Sequence, residues 1–182
     1  MRKSWLGALV LGLAVFAVAP AFAADDMKLG LGFFRPEAPV GGRAWISETM
    51  AVDLGIGIQA REYSAGGEEE TKIGFNLDAG LPIVLVDGGD TKFFIRPGLA
   101  FASDPVYDSG EGDWTSATEI WFSGDFGVEY FFSDMFSIQG AHGIVFKSID
   151  PGIEGSDTTT QFGTEGFGIS RVGFHVYFKG LD

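Results

Sequence analysis

Near its C-terminus the chain reads Arg171-Val-Gly-Phe-His-Val-Tyr-Phe178. Val172, Phe174, Val176 and Phe178 alternate with Arg171, Gly173, His175 and Tyr177, so an extended strand carries all four apolar residues on one face. Seven earlier segments repeat this period of two. Clear cases are Val52, Leu54, Ile56 and Ile58 against Asp53, Gly55, Gly57, Gln59 and Arg61, and Phe126, Val128, Tyr130 and Phe132 against Asp125, Gly127 and Glu129. No stretch carries the i, i+3, i+4, i+7 stripe of an amphipathic helix. The alternation predicts eight strands, near 27–35, 39–47, 50–63, 70–86, 91–103, 115–132, 136–149 and 161–178, and an all-β fold.

The connections alternate as the strands do. "SETM", "DGGD" and "SDM" are tight turns of Ser, Asp, Gly and Glu. Keeping the apolar faces aligned pairs Ala44 with Leu54, Leu85 with Phe93, and Tyr130 with Ile138 across them. The intervening connections "REYSAGGEEETK", "SDPVYDSGEGDWT" and "IDPGIEGSDTTTQ" are long and acidic. The spacing predicts tight turns at one end of a sheet and long loops at the other.

The N-terminus reads as an address. Arg2 and Lys3 precede an apolar run from Leu6 to Val18, then Pro20 and Ala21-Phe22-Ala23. This is the plan of a secretory signal peptide, too short to span a bilayer. Cleavage is expected after Ala23, leaving 24–182 as one domain without a transmembrane helix. That part carries ten basic against 25 acidic residues, a charge of −15. Such a chain repels phosphates, so nucleic acid is an unsuitable partner. There is no Cys, which excludes a lipid-anchored cysteine, disulfides and thiolate metal sites.

One apolar face leaves two barrels open, a soluble carrier with that face inside and a membrane barrel with it outside. The other face decides in favour of the membrane barrel. It carries many glycines together with Trp45, Phe94, Trp121, Phe131 and Tyr177, where a wetted strand would carry Lys, Glu and Thr. Its charges nearly balance, with Arg43, Arg61, Lys72, Arg96 and Arg171 against Asp53, Asp78, Asp125 and Glu129. A crowded lumen needs such pairing, because a buried unpaired charge costs several kcal/mol. His175 joins this face as a structural partner for a carboxylate. The predicted fold is an eight-stranded antiparallel up-and-down transmembrane β-barrel, with tight turns periplasmic and acidic loops outside.

Arg171, Gly173, Val176 and Phe178 resemble the C-terminal signal that the barrel assembly machinery reads in bacterial outer-membrane proteins, with "KGLD" as an overhang. By pattern and topology, residues 27–178 resemble the small eight-stranded outer-membrane barrels, the OmpA-like and OmpX-like group. The resemblance implies a Gram-negative outer-membrane location, among lipid and lipopolysaccharide.

Little enzymatic chemistry is legible. A lipid A deacylase needs Ser and His together on one strand face. Neither "FHVYF" nor "AHGIVF" places a Ser two residues from its His, and Ser170 lies opposite to His175. The acidic loops lack EF-hand spacing, which leaves weak divalent-cation binding at most. No helix follows the glycine pairs that could otherwise suggest phosphate binding, and no cofactor is expected. Pro82 and Pro97 fall inside strands at one level, where a bulge or strand end is expected and a gap that admits lipid laterally is the alternative; His142 falls on the lipid face, which places it near the headgroups or at a register slip beside Gly140 or Gly143. The leading expectation is a filled barrel with a structural or interaction role. A narrow channel is the alternative, and a lipid A-modifying enzyme the third.

Overall fold

The computed structural model describes residues 28–33, 38–65, 68–110, 112–164 and 170–178, with backbone alone at 61, 63–65 and 68–70. The signal segment 1–23 lies outside the described residues. Ten strand segments follow in order: β1 (Lys28–Phe33), β2 (Val40–Trp45), β3 (Ala51–Ala65), β4 (Glu68–Gly80), β5 (Ile83–Asp87), β6 (Thr91–Asp108), β7 (Asp113–Ser133), β8 (Phe136–Asp150), β9 (Thr159–Gly163) and β10 (Arg171–Phe178).

They make eight barrel strands. β4 and β5 pair with β6 in one register, Gly80 opposite Gly98 and Ile83 opposite Ile95, so they are one strand interrupted at Leu81 and Pro82. β9 and β10 both pair with β8 and form the last strand. β10 closes the ring against β1, from Leu29 opposite Phe178 to Phe33 opposite Phe174. All pairs are antiparallel.

The prolines explain the interruption. The Leu81 N–H donates to Pro97 O (3.0 Å), but Pro97 has no N–H to return. On the other side the Ala51 N–H donates to Pro82 O (2.9 Å), and Pro82 again returns nothing. The strand therefore loses one ladder donor on each side and keeps its register.

Two hairpins differ from the sequence expectation. Ala44 pairs with Val52 rather than Leu54, because the Ile46 and Ser47 N–H groups both turn onto Met50 O (3.0 and 3.2 Å). A bulge between Val84 and Val86 sets Val86, not Leu85, opposite Phe93. Tyr130 does pair with Ile138.

The larger difference lies at the opposite end. The β3–β4 ladder continues to Ala65 opposite Glu68, and the β6–β7 ladder to Asp108 opposite Asp113. Their outer neighbours stop earlier, with Val40 opposite Ile56, Phe75 opposite Ser103 and Thr118 opposite Asp150. Much of the two acidic connections is therefore β-ribbon standing beyond the closed wall. The second is held by Val106 opposite Thr115 and by the Tyr107 and Trp114 rings, 5.2 Å apart.

The apolar rows point outward. Leu31, Phe33, Ile56, Ile58, Ile73, Phe93, Ile95, Phe122, Phe126, Ile144, Phe146, Val172 and Phe174 are all exposed. On β7 the outward apolar positions run from Ile120 to Phe132. Twelve residue steps of ~3.3 Å at a tilt near 40° make a belt about 30 Å tall. Tyr130, Phe132, Phe136, Phe174 and Phe33 form a chain of rings at 4.9–6.1 Å around its tight-turn rim.

Candidate functional site

Inside the wall the polar rows meet. Arg43 on β2 is 1% exposed and reaches across the lumen. Its Nε and Nη2 donate to Asp53 Oδ1 and Oδ2 on β3 (2.6 and 2.9 Å). Its Nη1 donates to Glu129 Oε2 on β7 (2.5 Å), and Nη2 also to Gln139 Oε1 on β8 (2.9 Å). Asp53 Oδ2 in turn accepts from Arg96 Nε on β6 (2.8 Å). Arg96 pairs with Asp78 on β4 and stands 3.8 Å from Asp125 on β7. Asp125 pairs with Arg171 on β10, whose Nη2 donates to Ser123 Oγ (3.3 Å).

Glu129 carries the other end of the chain. Its Oε1 accepts from Ser137 Oγ (2.5 Å) and Tyr177 Oη (2.7 Å) and lies 3.3 Å from His175 Nδ1. One continuous network thus joins seven of the eight barrel strands. Antiparallel alternation brings this about, since the position after each lipid-type residue must point inward.

Among the described residues three guanidiniums, Arg43, Arg96 and Arg171, face four buried carboxylates, Asp53, Asp78, Asp125 and Glu129. The Ser137 and Tyr177 hydroxyls add two donors to Glu129. Of the residues read from sequence, Arg43, Asp53, Asp78, Arg96, Asp125, Glu129, Arg171 and His175 converge here. Lys72 does not. It is half-buried higher up, its Nζ 5.7 Å from the centre of the Trp114 ring. The Arg61 side chain lies outside the described residues. Ser137, Gln139 and Tyr177 were missed as members. Their parity with Gly143, Arg171 and Gly173 was the available signal.

Rings and small residues pack beside the network. Phe94, Trp121 and Tyr177 are buried. A Cβ on Gly30 would stand 2.6 Å from Tyr177 Cε1, and one on Gly127 would strike the Phe94 ring. Glycine at these two places is what lets the rings lie across the lumen. Beside Ala100, Ala102 and Trp121 a void of about 10 Å³ remains, hardly one water. At the tight-turn end the interior opens into a vestibule of about 240 Å³ lined by Lys28, Trp45, Lys92 and Phe131. Lys28 Nζ lies over the Tyr177 and Phe131 rings at 4.6 and 5.0 Å.

The acidic ribbons and loops bind their own backbone. Asp108 Oδ1 accepts the Gly110 N–H (2.8 Å) and Asp150 Oδ1 the Gly152 N–H (2.9 Å). Among the described residues, no three acidic or histidine side chains form a group that could hold a metal ion. Of the C-terminal four, Arg171 and Gly173 face inward, and Val176 and Phe178 face outward. His142 is on the outward face as expected. Its Nδ1 and Ser170 Oγ share a hydrogen bond of 2.8 Å.

No protein-family model matches the chain, and no curated protein does. Solved structures similar in fold include Ail, the attachment invasion locus protein of Yersinia pestis, at 10% identity and a TM-score of 0.42. That match covers 84% of this chain and 97% of Ail. The N-terminal β-barrel domain of Pseudomonas aeruginosa OprF matches at 16% identity and a TM-score of 0.42, over 85% of this chain and 98% of the domain.

Proposed function

We propose that this chain is an integral outer-membrane β-barrel whose lumen is filled and non-conducting, and that it serves the envelope as a structural and interaction element. The observation that carries the reading is the charge network from His175 to Arg171, which occupies the lumen where a pore would hold water. A belt about 30 Å tall matches a hydrocarbon core of about 25–30 Å and supports a membrane setting. With the tight turns periplasmic, the acidic ribbons, 57–65 paired with 68–74 and 104–108 paired with 113–117, stand outside among lipopolysaccharide, where divalent cations can bridge carboxylates. Residues 1–23 export the chain and are removed. Arg171, Gly173, Val176 and Phe178 present the strand that the assembly machinery reads.

The test is a conductance trace of the refolded barrel in a planar bilayer. A flat baseline is expected. Steady single-channel steps would overturn the filled lumen and install the narrow-channel reading. Mass spectrometry of lipid A, with and without the protein, is expected to be unchanged; a lost or added acyl chain would make it an enzyme.

A further inference from the structure

His142 and Ser170 are the polar anomaly of the belt. His142 pairs with Phe126, half-way between Ile120 and Phe132, so the pair stands near the mid-plane of the proposed bilayer. Polar side chains at that depth are costly and functional by default. The local fold explains how they meet. β9 pairs with β8 as Val145 opposite Gly163, whereas β10 pairs as Ala141 opposite Arg171. The last strand therefore gains four residues of register between the two ladders. Ser170, the residue before β10, extends its register to lie opposite His142.

The hydrogen bond between them leaves capacity over. If the Ser170 hydroxyl donates to Nδ1, His142 keeps an Nε2–H donor and Ser170 keeps oxygen lone pairs. If Nδ1–H donates to Oγ, His142 keeps an Nε2 acceptor and Ser170 keeps its O–H. In either tautomer the patch offers one donor and one acceptor toward lipid, which can supply neither at that depth. A surface that holds both halves of a hydrogen bond is complementary to itself under a two-fold axis.

The surroundings suit close approach. Gly140 and Gly124 face outward beside the pair, and a Cβ on Gly140 would meet nothing within 4 Å. Small residues at this level let two walls approach closely, as they do between membrane helices. Phe126 (58% exposed) and Val172 (80% exposed) flank the depression on either side.

We infer that a second copy of this chain docks here, His142 Nε2 of each barrel bonding Ser170 Oγ of the other across a two-fold axis along the membrane normal. The occupant is a second copy because the unmet donor and acceptor are matched to each other. The inference rests on the membrane reading above, and its test separates the two.

The chain has no Cys, so single-cysteine variants report contacts cleanly. Val172→Cys, in the patch, is compared with Ile73→Cys, exposed on β4 across the barrel. Each is refolded into lipid vesicles, oxidised and run unboiled and boiled. Disulfide-linked dimer is expected for Val172→Cys and not for Ile73→Cys. Adding His142→Leu and Ser170→Ala to Val172→Cys removes both inter-barrel bonds. The dimer's equilibrium constant is then expected to fall roughly five- to ten-fold, while the gel shift on boiling persists. A merely structural role for the pair would leave the dimer fraction unmoved. Equal cross-linking at the two sites, or monomer throughout with the boiling shift intact, overturns the dimer and leaves the barrel standing. Loss of the boiling shift in all variants, wild type included, overturns the membrane barrel itself.

Discussion

Arg43→Met tests the lumen most sharply. The guanidinium makes four hydrogen bonds to Asp53, Glu129 and Gln139 in a site without water access. Met replaces its volume and none of its charge. Asp53 keeps Arg96, but Glu129 is left with two hydroxyls and His175. Breaking a buried pair by removing one partner costs about 3–5 kcal/mol, a large share of the 5–15 kcal/mol typical of a folded protein. Urea unfolding in lipid vesicles, followed by Trp fluorescence and by gel mobility, reads the loss. Trp45 and Trp121 both line the interior and report it directly. Adding Glu129→Met removes the stranded carboxylate, and the double variant is expected to recover at least ~1 kcal/mol relative to Arg43→Met. A loss under ~1 kcal/mol in the single variant, or a double variant less stable than the single, would refute the claim that the network is dry and mutually dependent.

Gly127→Val drives a side chain into the Phe94 ring and is expected to cost about 1–3 kcal/mol in the same unfolding assay. Phe126→Arg places a charge at mid-belt and is expected to cost about 2–4 kcal/mol in vesicles; a stability within ~0.5 kcal/mol of wild type would mean that position meets water. Trp114→Ala removes the ring contact to Tyr107 and the neighbour of Lys72, beyond the closed wall. It is expected to raise amide exchange at Val106 and Thr115 while costing the barrel under ~1 kcal/mol.

The alternation of two was enough to assign faces, because burying or exposing a row is a property of parity alone. It therefore located Arg43, Asp53, Asp78, Arg96, Asp125, Glu129, Arg171 and His175 on one side before any partner was known. Partners depend on register, which parity does not carry. The Met50 carbonyl that captures two N–H groups shifted Ala44 by two residues without changing its face. Strand length was also hidden: Glu68, Glu69, Asp104 and Asp113 read as loop by composition, yet they lie in paired strands. The His142–Ser170 contact depends on four extra residues between β9 and β10, an offset that only the paired backbone reveals. His142 was recognisable as misplaced; the residue that accommodates it was not.

The central claim is that Leu, Ile, Val and Phe rows meet lipid while the ions fill the middle. Spin labels on single cysteines at Ile56, Ile95, Phe126 and Val172, in the vesicle-embedded barrel, measure this position by position. Collision with oxygen, which concentrates in hydrocarbon, is expected to exceed collision with a water-soluble nickel chelate at all four. Nickel access above oxygen access at these sites would put the apolar rows in water and contradict the account.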